Sequence, residues 1–269
     1  MELFEYYKKK GKFKFFIGIG VFILALCAVY EKWGHIKWGH IKWGQVIFIV
    51  IVSFVFLGIG FLQLRKGKLL EKNIVKNSIT LWDTNTFVLL ELPEGNKHFG
   101  LYTPDGAYVA GTKLISTDMM TLSSLKNKQV VGLEASDGEI LAYFHSEVEN
   151  HDWAIYDSNY NCVGMFKENM IQGFGMVRGS LMNEKEIKIS EIEVEFDFFE
   201  TSFHTMDDRI LINCKRGYMP LEWSERFGLN VPIIKLGNNI SNAEKIFGLG
   251  ILLYILETIK VRKSRIFND

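Results

Sequence analysis

The chain has few cysteines and prolines, three and four respectively among 269 residues. Cys27, Cys162 and Cys214 form no Cys-x-x-Cys pair, so the sequence indicates neither a disulfide framework nor a zinc site. Such sparse cysteine usage is typical of a reducing compartment. The sequence also lacks a Walker loop and the GxGxxG, HExxH and GxSxG motifs. We therefore predict no cofactor, no metal and no enzymatic activity.

The formal net charge is zero, yet the two parts of the chain carry opposite charge. Residues 1–68 contain eleven Lys or Arg and three Glu, a net charge of +8. Residues 69–269 contain twenty Lys or Arg and twenty-eight Asp or Glu, a net charge of −8. Because an acidic domain repels the phosphate backbone, we expect no nucleic-acid binding.

The longest uncharged run is Val46–Leu64, which contains nineteen residues. At about 1.5 Å per residue, a helix of this length spans most of the ~30 Å hydrocarbon core of a bilayer. Its polar side chains are tolerable there, since Ser53 can bond to its own helix and Gln63 lies at the edge. We predict a transmembrane helix over residues 46–64 and a basic juxtamembrane linker over residues 65–78.

A second uncharged run, Phe15–Tyr30, follows the basic residues 1–14. A basic start before an apolar run is also the pattern of a secretory signal peptide. However, Tyr30-Glu31-Lys32-Trp33 offers no small-residue cleavage site. We therefore predict an uncleaved transmembrane helix over residues 15–31, with flanking lysines that reach towards the lipid headgroups.

Residues 32–45, between the two predicted helices, contain a tandem Trp-Gly-His-Ile-Lys repeat. A period of five turns by about 140° per copy on a helix, so Trp33, Trp38 and Trp43 would not line one face. We interpret the repeat as a loop at the membrane interface. A pH sensor or metal site at His35 and His40 is the less favoured interpretation, because two histidines make an incomplete metal site.

Charge also predicts the orientation of this anchor, because Lys and Arg are enriched in cytoplasmic flanks. The N-terminal flank has five lysines and residues 65–76 contain five Lys or Arg, whereas the repeat loop between the two predicted helices has only three lysines. We expect a multi-pass protein of the cell membrane with both termini cytoplasmic. The candidate lipid-binding residues, each worth about 1 kcal/mol near an anionic leaflet, are Arg65, Lys66, Lys68 and Lys72. Their alternative role is only to set the topology.

From about residue 79 the pattern changes to short strands with period-two hydrophobicity. Turns such as Pro104-Asp105-Gly106, Asp137-Gly138 and Asp207-Asp208 separate the strands. These turns favour hairpins, because Asp, Asn and Gly tolerate positive φ. We predict an antiparallel sheet, closed into a barrel or stacked as a sandwich.

The clearest predicted strand is Ile189–Phe198, in which apolar residues alternate with carboxylates. Period two places Glu191, Glu193, Glu195 and Asp197 on one face. Alternate residues of a strand lie ~6.6 Å apart along a line, whereas a calcium site needs converging ligands. A solvated outer face is therefore favoured over a cation site.

The last apolar run is Ile246–Leu256, within a predicted helix over residues 242–260. Ser241 and Glu244 have the spacing of a capping box. The run is apolar on every face, yet its eleven residues are too few to cross a bilayer. We predict two transmembrane α-helices followed by a mainly β domain, an antiparallel β-barrel closed around this hydrophobic C-terminal helix. A polar tail, residues 261–269, would lie outside.

Three segments carry a family resemblance: WAIYDSNYNCVGMFKE at Trp153–Glu168, LYTPDGAYVAG at Leu101–Gly111, and the helix Ile246–Leu256. They resemble the tubby C-terminal-like superfamily, which includes tubby, phospholipid-scramblase-like and LURP-one-related domains. The resemblance implies a β-barrel around a buried helix over residues 79–260, and a role with lipids. Two features depart from soluble phosphoinositide-binding members, which have a basic surface: the net charge of −8 and the two N-terminal membrane helices.

Function is weighed among three classes. The favoured class is a membrane-anchored, non-enzymatic β-barrel that binds or senses a lipid, such as an anionic headgroup, or a partner protein at the cytoplasmic membrane face. The second is a structural or regulatory subunit of a membrane protein complex. The third, an enzyme with His145, His151 and Cys162 as base and nucleophile, is disfavoured because exposed polar residues of a loop explain this grouping better.

Overall fold

The structure is a computed structural model, and it describes residues 3–33, 43–71, 79–92, 99–115, 130–146, 152–169 and 176–266. Most of the tryptophan repeat lies outside these described residues, as do His35, His40, Lys72 and His151. The chain forms two compact units, Met1–Lys76 and Asn77–Asp269.

The first unit contains two long helices, α1 over Leu3–Trp33 and α2 over Trp43–Glu71. They pack antiparallel. Phe22 of α1 makes an edge-to-face contact with Phe54 of α2, with ring centroids 6.2 Å apart. Further along, Gly67 of α2 lies beside the backbone of Phe4 in α1.

In the part of the chain that the structure describes, one helix is long and apolar enough to cross a membrane, α2 over Ile47–Lys68. Its window is 11% buried within the protein, so most of its apolar side chains face outwards. The other predicted span, residues 15–31, does not qualify. Its uncharged run is sixteen residues, Phe15–Tyr30, and about 20 are needed. The prediction of two candidate spans is therefore corrected to one.

The second unit is mainly β. Its strands are β1 Thr86–Glu91, β2 Phe99–Tyr102, β3 Tyr108–Ile115, β4 Val130–Ala135, β5 Ile140–Ser146, β6 Trp153–Asp157, β7 Cys162–Glu168, β8 Met176–Asn183, β9 Lys188–Glu195, β10 Glu200–His204, β11 Ile210–Lys215 and β12 Ile233–Leu236. Its helices are α3 Leu221–Phe227 and α4 Asn242–Ile266. The predicted hairpin turns are confirmed, since Gly106, Gly138 and Asp208 all have positive φ.

All twelve of these strands belong to one antiparallel sheet. Neighbouring strands in the sheet are neighbours in the chain, from β1 to β9 and from β10 to β12, and β12 pairs back with β1. The sheet therefore curls into a barrel that is open only between β9 and β10. The predicted antiparallel barrel is confirmed, with the correction that it is nearly closed rather than closed.

Helix α4 is buried inside this barrel. Nine consecutive residues, Lys245–Leu253, are buried, which covers every face of a helix. Gly250 explains how the helix fits: a Cβ there would lie 2.8 Å from the ring of Phe144 and 2.9 Å from Ile155. The predicted enclosed helix is thus confirmed. Burial of each Leu or Ile side chain stabilises the fold by roughly 1.5–3 kcal/mol.

The start of α4 has the predicted capping box. The backbone N–H of Ser241 donates to Oε2 of Glu244 at 2.7 Å, and the N–H of Glu244 donates to Oγ of Ser241 at 3.2 Å. Arg209, in the β10–β11 turn, also lies 3.2 Å from Glu244. The entry of the helix is therefore fixed by both local and long-range contacts.

The end of α4 differs from the prediction, because the helix continues to Ile266 instead of stopping at residue 260. Ion pairs join its last turns to the end residues of β1 and β7 and to a residue just beyond β9. These pairs are Lys260 with Glu91, Arg262 with Glu168, and Lys263 with Asp197. We call these three contacts, which join the polar part of α4 to the barrel, the rim clasp.

The pair of Arg262 and Glu168 is the buried member of the rim clasp. The Glu168 side chain is 1% exposed, and its two oxygens accept hydrogen bonds from Arg262 at 2.5 Å and from the Tyr254 hydroxyl at 2.8 Å. The Asp197 side chain, by contrast, is 88% exposed. Only the Arg262 pair removes a carboxylate from water.

We predict that Arg262→Ala lowers the free energy of unfolding of the barrel by about 3–5 kcal/mol, because it leaves a buried carboxylate without its cation. Lys263→Ala is the matched control and should change stability little, since its partner is solvated. Denaturant titration of the full chain in detergent measures both. Adding Glu168→Gln to Arg262→Ala should restore part of the loss. Equal effects of the two single changes would contradict this account.

Candidate functional site

The antiparallel packing of α1 and α2 brings two basic segments to the same end of the helix pair. Gly60 lies beside the backbone of Gly11 and Phe15, and Gly67 lies beside Phe4 and Lys8. The C-terminal turns of α2 are therefore level with the N-terminal turns of α1. We call this region the basic end, and its cations are Lys8, Lys9, Lys10, Lys12, Lys14, Arg65, Lys66 and Lys68.

Aromatic rings hold three of these ammonium groups. The Nζ atoms of Lys66, Lys8 and Lys10 lie 4.5, 5.0 and 5.1 Å from the ring centroids of Tyr7, Phe4 and Tyr6, respectively. Lys10 also donates a hydrogen bond of 2.8 Å to the Tyr6 hydroxyl. Cations over ring faces are stabilised by the ring quadrupole, and tyrosines with lysines are typical of the membrane interface.

The predicted lipid-binding residues differ in their surroundings. Arg65 and Lys68 are exposed on the last turns of α2, whereas Lys66 is half-buried over Tyr7. Lys72 lies beyond the described part of α2. Arg65 and Lys68 are thus the two predicted residues whose side chains are exposed.

The lysines of α1 were missed as site residues. From the sequence alone, the five lysines among residues 8–14 indicate only the orientation of the anchor, because nothing local links them to Arg65 and Lys68. The signal that could have found them is glycine spacing. Gly11 and Gly18 on α1, and Gly60 and Gly67 on α2, are each seven residues apart, which places each pair on one helix face.

These glycines set the close approach of the two helices. A Cβ at Gly60 would lie 2.8 Å from the backbone nitrogen of Phe15, and a Cβ at Gly18 would lie 2.8 Å from Leu57. Small residues at such positions allow helices to pack tightly in lipid, where apolar burial provides no driving force. Gly58 has open space around it and serves as a matched control.

The predicted acidic face of β9 is an outer surface with ion pairs. Ile192 and Val194 are buried, whereas Glu191, Glu193 and Glu195 are exposed, so the predicted alternation is confirmed. Glu191 pairs with Lys188 and Glu193 with Arg178, both at 2.5 Å. The hydrogen bond from Lys188 lowers the pKa of Glu191.

Asp197, beyond the end of β9, has a cationic partner in the rim clasp. The hydrogen bond from Lys263 lowers the pKa of Asp197. No group of three or more potential metal ligands occurs among the described residues. Three of the four predicted carboxylates therefore pair with Lys or Arg, which favours the solvated outer face over a cation site.

The disfavoured catalytic grouping is only partly described. His145 is buried on β5, and its ring stacks on Tyr156 with centroids 5.1 Å apart. Tyr156 is the strand partner of Cys162. Burial raises the pKa of the Cys162 thiol, and its Sγ lies 3.9 Å from the Gly164 carbonyl oxygen. A catalytic cysteine needs the opposite shift, so Cys162 is poorly suited to act as a nucleophile.

Comparison with known proteins adds little to this geometry. No family model and no curated protein matches the chain. The chain is similar to an X-ray structure of a protein from Arabidopsis thaliana, with 10% identity and a TM-score of 0.36. The match covers 65% of this chain and 91% of that chain. Identity and score at this level support no conclusion about function.

We predict that Gly60→Val separates α1 from α2, because overpacking a tight contact costs about 1–3 kcal/mol. Oxidative crosslinking of Phe22→Cys to Phe54→Cys, with Cys27→Ser as background, reports the contact in the full chain. Crosslinking should be efficient in this parent and drop when Gly60→Val is added. Gly58→Val should leave it unchanged. A similar yield in all three chains would show that glycine packing does not hold the helices together.

Proposed function

We propose that this chain is a membrane-anchored, non-enzymatic β-barrel protein that binds anionic lipid headgroups at the cytoplasmic membrane face. The observation that carries the proposal is the basic end of the α1–α2 pair. It gathers cations from two helices, and one of these helices has the length and composition of a membrane span. The positive charge of the basic end favours an anionic ligand, and the candidate membrane span α2 favours a lipid as the source of that ligand.

Electrostatics support the basic end as the lipid site. Each Lys or Arg near an anionic leaflet contributes about 1 kcal/mol, and the eight cations of the basic end lie in a few helical turns. The remainder of the chain, residues 69–269, has a net charge of −8, which would repel the same lipids. The basic end is therefore the better candidate for anionic headgroups.

Orientation follows from the same contact. If α2 crosses the bilayer, the basic segment of α1 lies at the same membrane face as Arg65 and Lys68, because the helices are antiparallel. Lys and Arg are enriched on the cytoplasmic side. We propose that the N-terminus and the β-barrel are both cytoplasmic, with α1 packed along α2 in the cell membrane.

We also propose membership of the tubby C-terminal-like superfamily for the second unit. In support, twelve antiparallel strands form a nearly closed barrel around a C-terminal helix that is buried on every face. The Trp153–Glu168 and Leu101–Gly111 segments of the sequence resemblance form the β6–β7 and β2–β3 hairpins. The acidic charge of the unit suits a barrel that senses a partner better than one that itself binds phosphoinositides.

Titration with short-chain lipids tests the lipid proposal. We expect the full chain in zwitterionic micelles to bind phosphatidylserine in preference to phosphatidylcholine, as measured by native mass spectrometry. Arg65→Gln with Lys68→Gln should weaken phosphatidylserine binding about 30-fold, which corresponds to roughly 1 kcal/mol per cation.

The matched control is Lys185→Gln with Lys235→Gln, two exposed lysines of the barrel. This variant has the same change in net charge and should bind phosphatidylserine as the parent does. Equal binding of the two lipids by the parent chain would contradict the proposal. Equal weakening by both double variants would assign the effect to net charge rather than to the basic end.

A further inference from the structure

The barrel has one seam, where β9 and β10 are not paired with each other. Of the twelve described strands, these two are the edges of the sheet. The connection between them is short, residues 196–199. Its backbone hydrogen bonds do not join β9 to β10. The N–H of Phe198 donates to the carbonyl of Glu195, and the carbonyl of Phe199 accepts from Arg216. An edge strand presents backbone N–H and C=O groups that can pair with another chain.

Exposed apolar side chains flank the same two strands. Ile187 precedes β9 and is 51% exposed, and Phe199 lies between β9 and β10 and is 71% exposed. Met206 follows β10 and is 62% exposed, and Ile210 begins β11 and is 48% exposed. These side chains lie at both ends of the two strands, where a segment docked along an unpaired strand edge could cover them.

Charge on the outer face of β9 selects the kind of partner. Glu191, Glu193 and Glu195 follow one another at every second position and are exposed. A second copy of β9 paired antiparallel in register would place these carboxylates opposite one another, which is destabilising. A strand with Lys or Arg at alternate positions would instead place a cation opposite each carboxylate.

We infer that the seam is a docking surface for an extended segment of a partner protein, which adds to β9 as a strand and carries basic residues at alternate positions. Main-chain hydrogen bonds to the β9 edge provide affinity, and the carboxylate row provides the register. The present pairs of Glu191 with Lys188 and Glu193 with Arg178 are solvent-exposed and hence readily exchanged for new ones.

This inference concerns a different unit and a different ligand class from the lipid proposal. Lipids would bind the basic end of α1 and α2, whereas the partner segment would bind the acidic edge of the barrel. Loss of one activity therefore leaves the other measurable. A partner segment bound at the seam would also fit the alternative function, a regulatory subunit of a membrane protein complex.

A labelled decapeptide of alternating lysine and valine tests the inference. The full chain is placed in nanodiscs of phosphatidylcholine, so that lipid charge does not attract the peptide, and binding is followed by fluorescence anisotropy. We expect saturable binding. Two further peptides, N-methylated at the odd or at the even residues, keep the charge but block one edge of the strand, and at least one of them should bind at least tenfold more weakly.

Variants of the protein test the carboxylate row. Glu193→Lys with Glu195→Lys should weaken binding of the unmethylated peptide about tenfold or more. The control, Glu139→Lys with Glu222→Lys, makes the same change in net charge at exposed sites away from the seam and should bind as the parent does. Circular dichroism checks that each variant is folded, and the methylated peptides test the unmodified chain if one is not.

Several outcomes would overturn the inference. Undiminished binding of both methylated peptides would show attraction by charge alone, without strand addition. Equal loss in the two double variants would place the binding outside the seam. Absence of binding at millimolar peptide would exclude this class of partner. A dimer in sedimentation experiments that the peptide dissociates would assign the seam to a second copy of the chain.

Discussion

The structure of the barrel depends on keeping one apolar helix away from water. Nine consecutive residues of α4, Lys245–Leu253, are buried, and nine successive residues cover all sides of a helix. A single sheet face or helix neighbour could cover only one side. The strands must therefore surround α4, and their inward side chains, such as Phe144 and Phe166, complete the core around it. Gly250 allows α4 to lie close to Phe144 and Ile155, and the rim clasp joins the end of α4 to the barrel.

This arrangement separates the chemistry of the chain into distinct surfaces. Because the interior of the barrel is filled by α4, ligands must meet its rim, its outer face or its seam. The outer face of β9 is acidic, whereas the basic end of α1 and α2 is strongly cationic. The two units therefore present surfaces of opposite charge, and the two proposals assign a different class of ligand to each.

Local patterns predicted much of the fold, and long-range contacts account for what they missed. Ile246–Leu256 is apolar on every face, so its burial was evident, as was the alternation in β9. The last turns of α4, up to Ile266, pair with Glu168 and Asp197, which are distant in sequence, so no local pattern indicates this extension. Helix α3 lacks a long apolar stripe and is held by Phe227 packing near Tyr102 and Arg226 donating to the carbonyl of Pro104. Likewise, the basic end and the seam arise only when separate segments meet.

Hydrogen exchange of the α4 backbone tests the central claim most directly. The full chain is placed in nanodiscs, and deuterium uptake is followed by mass spectrometry for peptides from α4 and from the barrel strands. If the barrel encloses α4, amides of Ile246–Leu256 should open only with global unfolding and exchange as slowly as the best-protected strands. Arg262→Ala should accelerate exchange in α4 and the strands together. Fast exchange of α4 beside protected strands would show that the barrel folds without it and would contradict the account.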